Sequence, residues 1–255
     1  MNRYPIRMML AAGLVLTATL GVPASASASF HLERIREVHE GIGSNGDYVE
    51  LQSMATGENF VGGKHIVTYD AGGGVLTDYT IPTNVANGAD QATILIANAP
   101  TVAGVTPDFV AGNGGTGPGN LNVDNTGGTV CYTDSSITLP LDCVAFDHSG
   151  NLTPITVPFA GAQFGTPFIL PGANLDGQSL IRTISRGCAT ALDTADDTNS
   201  AADFSLGAGN PRNNTSTPTE KACPPVQSTA KKCKKKKKGR SAEVAKKKKC
   251  KKKRH

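Results

Sequence analysis

Short strand-like segments separated by turn residues are the feature that most restricts how this chain can fold. Each is at most eight residues long, rich in Val, Ile, Thr and Tyr, and bounded by Gly, Pro, Asn or Asp, which is typical of β-strands. No segment of this region keeps an apolar period of 3.6 residues for three turns, so long helices are not expected. The predicted strands are Leu32–His39, Asp47–Ser53, His65–Asp70, Val75–Ile81, Gln91–Ala97, Thr129–Thr133, Asp142–Asp147 and Ser179–Ser185.

Eight short strands without helices predict an all-β fold, an antiparallel sandwich or barrel. The alternation in Tyr48–Gln52 predicts one buried face and one solvent-facing face, and the apolar run Ile94–Ile96 is typical of a central strand. Ala71–Gly74 joins two strands like a hairpin turn. Two stretches, 111–128 and 210–230, are rich in Gly, Pro or polar residues and are expected to be loose surface segments.

The N-terminus has the organisation of a secretory signal peptide. Two arginines precede a mostly apolar stretch, Met8–Val22, and small residues then offer cleavage sites after Ala26 or Ala28. The apolar stretch is 15 residues long, short of the ~20 that cross a bilayer, so a cleaved leader is favoured over an anchor. We therefore expect residues 1–28 to be removed, the protein to be secreted, and no membrane-spanning segment to remain.

All six cysteines follow this leader, so they would meet an oxidising compartment. Six cysteines allow 15 pairings, and proximity favours Cys131 with Cys143 and Cys188 with Cys223. Cys233 and Cys250 lie in the lysine-rich end, where they could pair with each other or link two chains, against like-charge repulsion. The C-x₂₋₄-C pairs usual in zinc sites are absent from the sequence, so disulfides are preferred to zinc.

The charge of the chain is divided between two very different regions. Residues 231–255 contain 16 Lys and Arg and one acidic residue, a net charge of +15. Residues 30–230 contain 20 Asp and Glu against 7 Lys and Arg, a net charge of −13. A block of like charge does not fold alone, because repulsion adds to chain entropy without apolar gain. We therefore expect a folded domain over residues 30–222 and a disordered lysine-rich tail over residues 223–255.

The composition of the tail indicates what it can bind. Lysine is a hydrated point charge on a flexible stem, and the tail has no aromatic side chain on which bases could stack. We expect it to bind anionic polymers (extracellular nucleic acid, wall polymers or acidic lipid head groups) without sequence preference and with strong salt dependence. The alternative is that it folds over the acidic body or only keeps the protein soluble. The predicted polyanion-binding residues are Lys231, Lys232, Lys234, Lys235, Lys236, Lys237, Lys238, Arg240, Lys246, Lys247, Lys248, Lys249, Lys251, Lys252, Lys253 and Arg254.

Six segments of the chain follow a recognisable order. They are Ile35–Val38, Asp47–Gln52, Phe60–Gly63, Ile66–Tyr69, Asp197–Phe204 and Asn210–Asn213. The first two are a strand ending in Glu-Val and, after a polar loop, an acidic-aromatic-Val-Glu-Leu strand, and the last two are an Asp-Phe strand and a proline-bearing exit. This pattern resembles the lamin tail domain family. The Gly-Trp pair usual in that family is absent, since the chain has no Trp.

The resemblance implies an immunoglobulin-like β-sandwich over roughly residues 30–215. In animals the domain serves nuclear filaments, and in bacteria similar domains are exported, alone or beside hydrolase or nuclease domains. The family domain has no known catalytic residues, so none can be assigned here by resemblance.

The sequence motifs do not predict a cofactor or a catalytic residue. Gly63–His65 ends a partial phosphate-loop pattern that lacks its first glycine and its hydroxyl residue. Gly112, Gly114 and Gly117 match a dinucleotide pattern, but Pro118 follows where the opening of a helix is needed.

One cluster of oxygen-bearing side chains is a minor candidate for calcium, which takes six to eight oxygen ligands. The EF-hand order is missing, and Asp and Asn also cap turns without any metal, so a plain loop is the favoured interpretation. The cluster comprises Asp193, Asp196, Asp197, Asn199 and Asp203.

These features favour a non-catalytic protein, secreted or held at the cell surface, in which a lamin-tail-like sandwich carries a polycationic tail. The alternative is an exported hydrolase, a nuclease or phosphatase, whose tail holds polyanionic substrate. A recognisable acid–base pair or metal-ligand set would favour that alternative, and the sequence offers neither.

Overall fold

A computed structural model describes residues 32–42, 46–113, 115–148, 164–172, 174–175, 177–184, 191–192 and 199–220. All eight predicted strands are present, with ends within three residues of the predicted ones. The elements in chain order are β1 (Glu33–His39), β2 (Tyr48–Ser53), β3 (His65–Asp70), β4 (Val75–Thr80), β5 (Thr93–Ala97), β6 (Phe109–Val110), β7 (Gly112–Asn113), β8 (Gly117–Pro118), β9 (Asn120–Leu121), β10 (Gly127–Thr133), β11 (Pro140–Asp147), β12 (Phe168–Ile169), β13 (Ser179–Arg182), α1 (Ser200–Asp203) and β14 (Phe204–Gly207).

The strands form two sheets that pack as a sandwich. The first sheet has the order β14-β13-β1-β2-β5-β6 and the second the order β12-β11-β10-β3-β4-β8, while β7 and β9 pair separately. The longer strands pair antiparallel, and the two-residue strands β6, β8 and β12 extend the sheets in parallel. The predicted all-β, immunoglobulin-like sandwich is therefore confirmed, with parallel additions at the edges.

Aliphatic and aromatic side chains from both sheets fill the space between them. Val49 and Leu51 of β2 point into this core, and Ile66, Val130 and Phe146 face them from the second sheet. Inward residues recur at every second position because successive side chains of a strand point to opposite faces. The predicted hairpin between β3 and β4 is also present, with antiparallel pairing on either side of its glycine-rich turn.

A buried cation joins the two sheets at one place. The Nε of Arg182, on β13, donates to the carbonyl of Ile35 at 2.7 Å, and its Nη2 donates to Asp142 of β11 at 2.5 Å. Asp142 also accepts from the backbone N–H of Ile35 at 2.6 Å. The guanidinium lies 4.6 Å from the centroid of the Phe204 ring. Because β11 belongs to the second sheet and β13 to the first, this ion pair fixes one sheet against the other.

The predicted disulfide between Cys131 and Cys143 is present. The two residues lie directly opposite each other on β10 and β11, with Cα atoms 4.2 Å apart. They pack with Val67 and Tyr69 in a small cluster separate from the main core. The other predicted disulfide, Cys188 with Cys223, lies outside the described residues, as do Cys233 and Cys250.

The prediction that β2 has a solvent-facing side is wrong. Every residue of β2 is buried, including Tyr48, Glu50 and Gln52, which alternate with the core residues and point away from the core. The alternation of residue types was recognised correctly, but the polar face is covered by other parts of the chain. Polar side chains can be buried in this way when they find hydrogen-bond partners.

The prediction that residues 111–128 form a loose surface loop is also wrong. This stretch contributes β7, β8, β9 and the start of β10, and Leu121 and Val123 are buried in the main core. The backbone N–H of Val123 donates to Asp47 at 3.0 Å, which ties the stretch to the body. Composition alone did not reveal the three core residues of this stretch, Ala111, Leu121 and Val123, among the glycines.

Candidate functional site

The chain leaves the sandwich along the outer face of the first sheet, over the polar side of β2. We call residues 208–220 the C-terminal strap. It has no regular secondary structure, yet side chains and backbone groups along it bind the sheet at several points. The prediction that residues 210–230 are loose is therefore wrong for 210–220, while residues 221–230 lie outside the described part of the chain.

Among the described residues, Asn214 makes the largest share of the hydrogen bonds between the C-terminal strap and the body of the domain. Its Oδ1 accepts from the N–H of Asn87 at 2.7 Å, and its Nδ2 donates to the carbonyls of Asn87 and Thr93, both at 3.0 Å. Its own backbone N–H donates to Asp108 at 2.8 Å. The side chain therefore uses both its acceptor and its donor groups, as a buried amide must.

Arg212 forms the second attachment, through charge. Its backbone N–H donates to Glu50 Oε2 at 2.6 Å, while Nε and Nη2 donate to Glu50 Oε1 at 3.2 and 3.0 Å. Its Nη1 donates to Glu220 at 2.6 Å. Glu50 is buried on β2. The strap therefore binds the polar face of this strand and covers it. Charge-assisted bonds of this kind are among the stronger ones in proteins.

A third group of polar side chains lies beneath Gly209. Tyr48 donates its hydroxyl hydrogen to Glu37, which also accepts from the backbone N–H of Asn210 at 3.1 Å. Ser179 Oγ lies 3.3 Å from the Tyr48 oxygen and 2.9 Å from His39 Nδ1. The rings of His39 and Tyr48 stack with centroids 4.7 Å apart. These contacts join β1, β2, β13 and the strap in one hydrogen-bonded group.

Burial shifts the pKa values of several of these groups. It raises the pKa of Glu50 to about 7, because the loss of hydration outweighs the opposing effect of Arg212. It also lowers the pKa of Arg36, with Glu50 opposing that change, and lowers the pKa of His39, with Glu37 opposing. The pKa of Tyr48 is raised by burial and by the adjacent Glu37.

Two cavities flank the strap. The larger, of about 500 Å³, is lined by His39, Ile42 and Tyr48 together with several glycines and alanines. The smaller, of about 370 Å³, is lined by charged and polar groups. We call it the Arg36 cavity; its lining residues are Arg36, Glu37, Glu50, Ile181, Asn210, Arg212, Thr219 and Glu220.

The Ser179–His39 contact has the distance of a nucleophile with its base but lacks the exposure that catalysis needs. Ser179 is fully buried, so its Oγ is not presented to a substrate. A nucleophilic serine must reach the reacting carbon while its histidine partner takes the proton. What this arrangement can do is hold the C-terminal strap in place.

The other candidate site residues named from the sequence fall in different parts of the chain. Asn199 caps α1: its Oδ1 accepts from Ala201 N at 3.0 Å, and its own N–H donates to Asp203 at 2.7 Å. The two side chains thus satisfy backbone N–H groups at the start of this short helix, which accounts for both of them. The remaining calcium candidates, Asp193, Asp196 and Asp197, and all the predicted polyanion-binding residues lie outside the described residues.

Within the part of the chain that the structure describes, there is no group of three or more His, Cys, Asp or Glu side chains that could hold a metal ion. The same residues include no helix with the length and apolar character needed to cross a bilayer.

Comparisons with known proteins found no matching family model, no matching curated protein and no matching solved structure.

Arg36, Glu50 and Arg212 were not identified as site residues from the sequence. Glu50 and Arg212 are 162 positions apart, and a lone arginine in a polar segment carries no local signal. The signal that was available is the fully polar side of β2. If the tyrosine, glutamate and glutamine on this face are buried, they need hydrogen-bond partners from another part of the chain.

Proposed function

We propose that this chain is an exported, non-catalytic binding protein, whose lamin-tail-like sandwich holds a polycationic tail that attaches to anionic polymers. The observation that carries the proposal is the concentration of 16 Lys and Arg in residues 231–255. The C-terminal strap supports it, because Arg212 and Asn214 attach the chain to the body before these residues begin.

The location of the acidic groups bears on the alternative in which the tail folds over its own body. Sixteen Asp and Glu lie within the described residues, and eight of them are buried. A buried carboxylate has too little exposed surface to bind a lysine side chain of the tail. The buried ones are Glu33, Glu37, Glu40, Asp47, Glu50, Glu58, Asp142 and Asp147. The body therefore offers the tail fewer contacts than its net charge of −13 suggests.

Retention on heparin and on duplex DNA tests the proposal. We compare the mature chain with a version ending at Ala230 and with a full-length version whose tail lysines are replaced by glutamine. A third variant, with the same lysines replaced by arginine, keeps length and charge. We expect retention in the mature and arginine chains, loss in the other two, and a log–log salt slope that rises by ~0.9 for each phosphate contacted.

Retention by the chain ending at Ala230 would contradict the proposal, since binding would then reside in the body. Metal-dependent cleavage of nucleic acid or of a phosphate ester by the purified mature chain would favour the hydrolase alternative. Export is tested separately by N-terminal sequencing of the secreted protein, which we expect to begin after Ala26 or Ala28.

A further inference from the structure

A second buried ion pair joins the two sheets, at the beginning of β1 and of β3. Lys64 Nζ lies 3.2 Å from Glu33 Oε1 and 3.3 Å from Glu33 Oε2. Glu33 belongs to β1 of the first sheet, and Lys64 directly precedes β3 of the second. Glu33 points inward, since it shares a strand face with the core residue Ile35. Only 7% of the Lys64 side chain and none of the Glu33 side chain is exposed.

The amine of Lys64 is held close to the carboxyl carbon of Glu33. Nearly equal distances to the two oxygens place Nζ near the plane that bisects the carboxyl group and contains its carbon, Cδ. Both backbones are fixed: Glu33 pairs with Ser53, while Lys64 donates its N–H to Val61 at 3.1 Å and accepts from Ile81 N at 2.8 Å. Two groups held in contact in this way react as if each met the other at a concentration on the order of 10⁵–10⁸ M.

The surroundings favour the uncharged forms of this pair, which are the forms that react with each other. Burial raises the pKa of Glu33, because the loss of hydration outweighs the attraction of Lys64, and the charge of Glu58 adds to the rise. A proton can therefore move from Nζ to a Glu33 oxygen along the existing hydrogen bond. That transfer leaves an amine with a free lone pair beside a carboxylic acid, and it avoids part of the cost of burying two charges.

Two neighbouring groups fit the remaining steps of a condensation. Tyr132 is fully buried, its ring centroid lies 5.5 Å from Lys64 Nζ, and its pKa is raised by burial and further by the Glu33 carboxylate. A neutral hydroxyl group of this kind is a donor for the oxyanion of a tetrahedral intermediate. Glu58 is buried and accepts from the backbone N–H of Leu32 at 3.2 Å, next to Glu33 in the chain. Its carboxyl group can carry a proton.

We propose that Lys64 and Glu33 become joined by an intramolecular amide bond after the chain has folded. Nζ attacks Cδ, an N–C bond forms, a C–O bond breaks and one water molecule leaves. The proton lost by the nitrogen passes to the departing hydroxyl group, with Glu58 as its carrier. A neutral amine and a neutral acid thus give a neutral amide and water, so the step needs no oxidant, reductant or activating group.

The bond fastens β1 to β3 and therefore one sheet to the other by a covalent link. Its burial keeps out the water that would hydrolyse it. Glu33 no longer titrates once the amide has formed, whereas Asp47, Glu50 and Asp108 keep their carboxyl groups. The pair lies within the sandwich, so the inference does not rest on the proposed function of residues 231–255.

Mass spectrometry of the purified mature chain, reduced and alkylated, tests this inference. We expect a mass lower by one water molecule than that of the sequence. Trypsin cuts after a free lysine and not after an acylated one, so we expect the denatured chain to stay uncut after Lys64. Tandem mass spectrometry is expected to locate the link between Lys64 and Glu33.

Lys64→Arg is the matched control, because a guanidinium group keeps the positive charge but stays protonated and does not act as a nucleophile. We expect it to have the full mass of its sequence. Glu58→Gln, which has no carboxyl group to carry a proton, is expected to contain both the linked and the unlinked form. If Lys64→Arg does not fold, the location of the link in the unmodified chain still decides.

A full sequence mass in the folded mature chain would overturn the inference. A water deficit that tandem mass spectrometry places elsewhere, or that persists in Lys64→Arg, would overturn it as well. Complete linkage in Glu58→Gln would overturn the part of Glu58 in the step.

Discussion

At the scale of single residues, Gly209 shows how closely the C-terminal strap approaches the sheet. A Cβ built at this position would overlap the Tyr48 hydroxyl and lie 2.8 Å from Ser179 Oγ and 3.1 Å from Glu37 Oε1. These three atoms belong to one hydrogen-bonded group and cannot move apart independently. Glycine is therefore required at position 209 because a side chain would overlap these atoms. The backbone conformation is not the reason, since Gly209 does not adopt the left-handed conformation.

We therefore predict that Gly209→Ala destabilises the domain by about 1–3 kcal/mol, the usual range for forcing extra volume into a packed site. Chemical denaturation measures the change. Gly172→Ala is the control, since a Cβ there meets nothing within 4 Å. Equal effects of the two substitutions would show that the strap does not lie on this group.

The buried ion pair gives a second prediction at this scale. Arg182→Met would leave Asp142 buried without its cation, and breaking a buried pair from one side costs about 3–5 kcal/mol. We expect the double variant Arg182→Met/Asp142→Asn to lose less than the sum of the single variants, because the two residues act together. Additive losses in a denaturation experiment would show that the pair does not couple the sheets.

At the scale of elements, the C-terminal strap is held without belonging to either sheet. Its attachments come from side chains, chiefly Asn214 and Arg212, while sheet strands are held by backbone ladders. Few residues therefore carry most of the attachment. Such a segment is expected to open locally before the sandwich unfolds.

We predict that Asn214→Ala increases cleavage of the strap by a protease while the sandwich stays folded. The substitution leaves the N–H of Asn87 and the carbonyl of Thr93 without their Asn214 side-chain partners. Limited proteolysis followed by mass spectrometry locates the cuts. Thr217→Ala, at an exposed position of the same segment, is expected to leave the cleavage rate unchanged, and equal rates in the two variants would contradict the prediction.

The disulfide between β10 and β11 gives another prediction at the scale of elements. It closes a loop of 12 residues, so its removal should cost about 2–4 kcal/mol. We expect Cys131→Ala/Cys143→Ala to lower the free energy of unfolding by this amount, measured by chemical denaturation. Since the pair lies outside the main core, the sandwich should still form, and a complete loss of folded protein would contradict this.

At the scale of the whole molecule, several buried carboxyl groups titrate in the same direction. Burial raises the pKa of Glu33, Asp47 and Asp108, and that of Glu50 to about 7. A carboxyl group with a raised pKa binds its proton more firmly in the folded state than in the unfolded state. Folding is then favoured at low pH, and this contribution is lost as the pH rises through the folded-state pKa.

His39 contributes in the opposite sense, because burial lowers its pKa. We predict that the carboxyl groups outweigh it, so that the protein is more stable near pH 5 than near pH 7.5, and that Glu50→Gln removes on the order of 1–3 kcal/mol of this dependence. Melting temperatures across this range measure it. Glu220→Gln is the control, because Arg212 lowers the pKa of Glu220 and its titration belongs below this window. Stability that rises steadily from pH 5 to pH 7.5 would contradict the prediction.

The sequence predicted the strands well and their surroundings poorly. Local patterns locate β1 to β5, because alternation and turn residues act within a few positions. The role of Glu50 depends on Arg212, which is distant in the chain, and no local pattern reports such a contact. Leu121 and Val123 were not recognised as core residues, because the glycines around them are typical of a loop. The alternation of residue types and the local composition thus locate the strands. Which segment covers which strand depends on tertiary packing, and the local sequence does not report it.

The order of attachments along the C-terminal strap has a mechanical consequence. A pull on the chain end loads Glu220 first, then Asn214, then Arg212 and finally Asn210. Bonds that are loaded one after another peel apart at low force, whereas the paired strands of the sheets share a load along their length. The strap would therefore extend under tension before the paired strands of the sandwich carry the load.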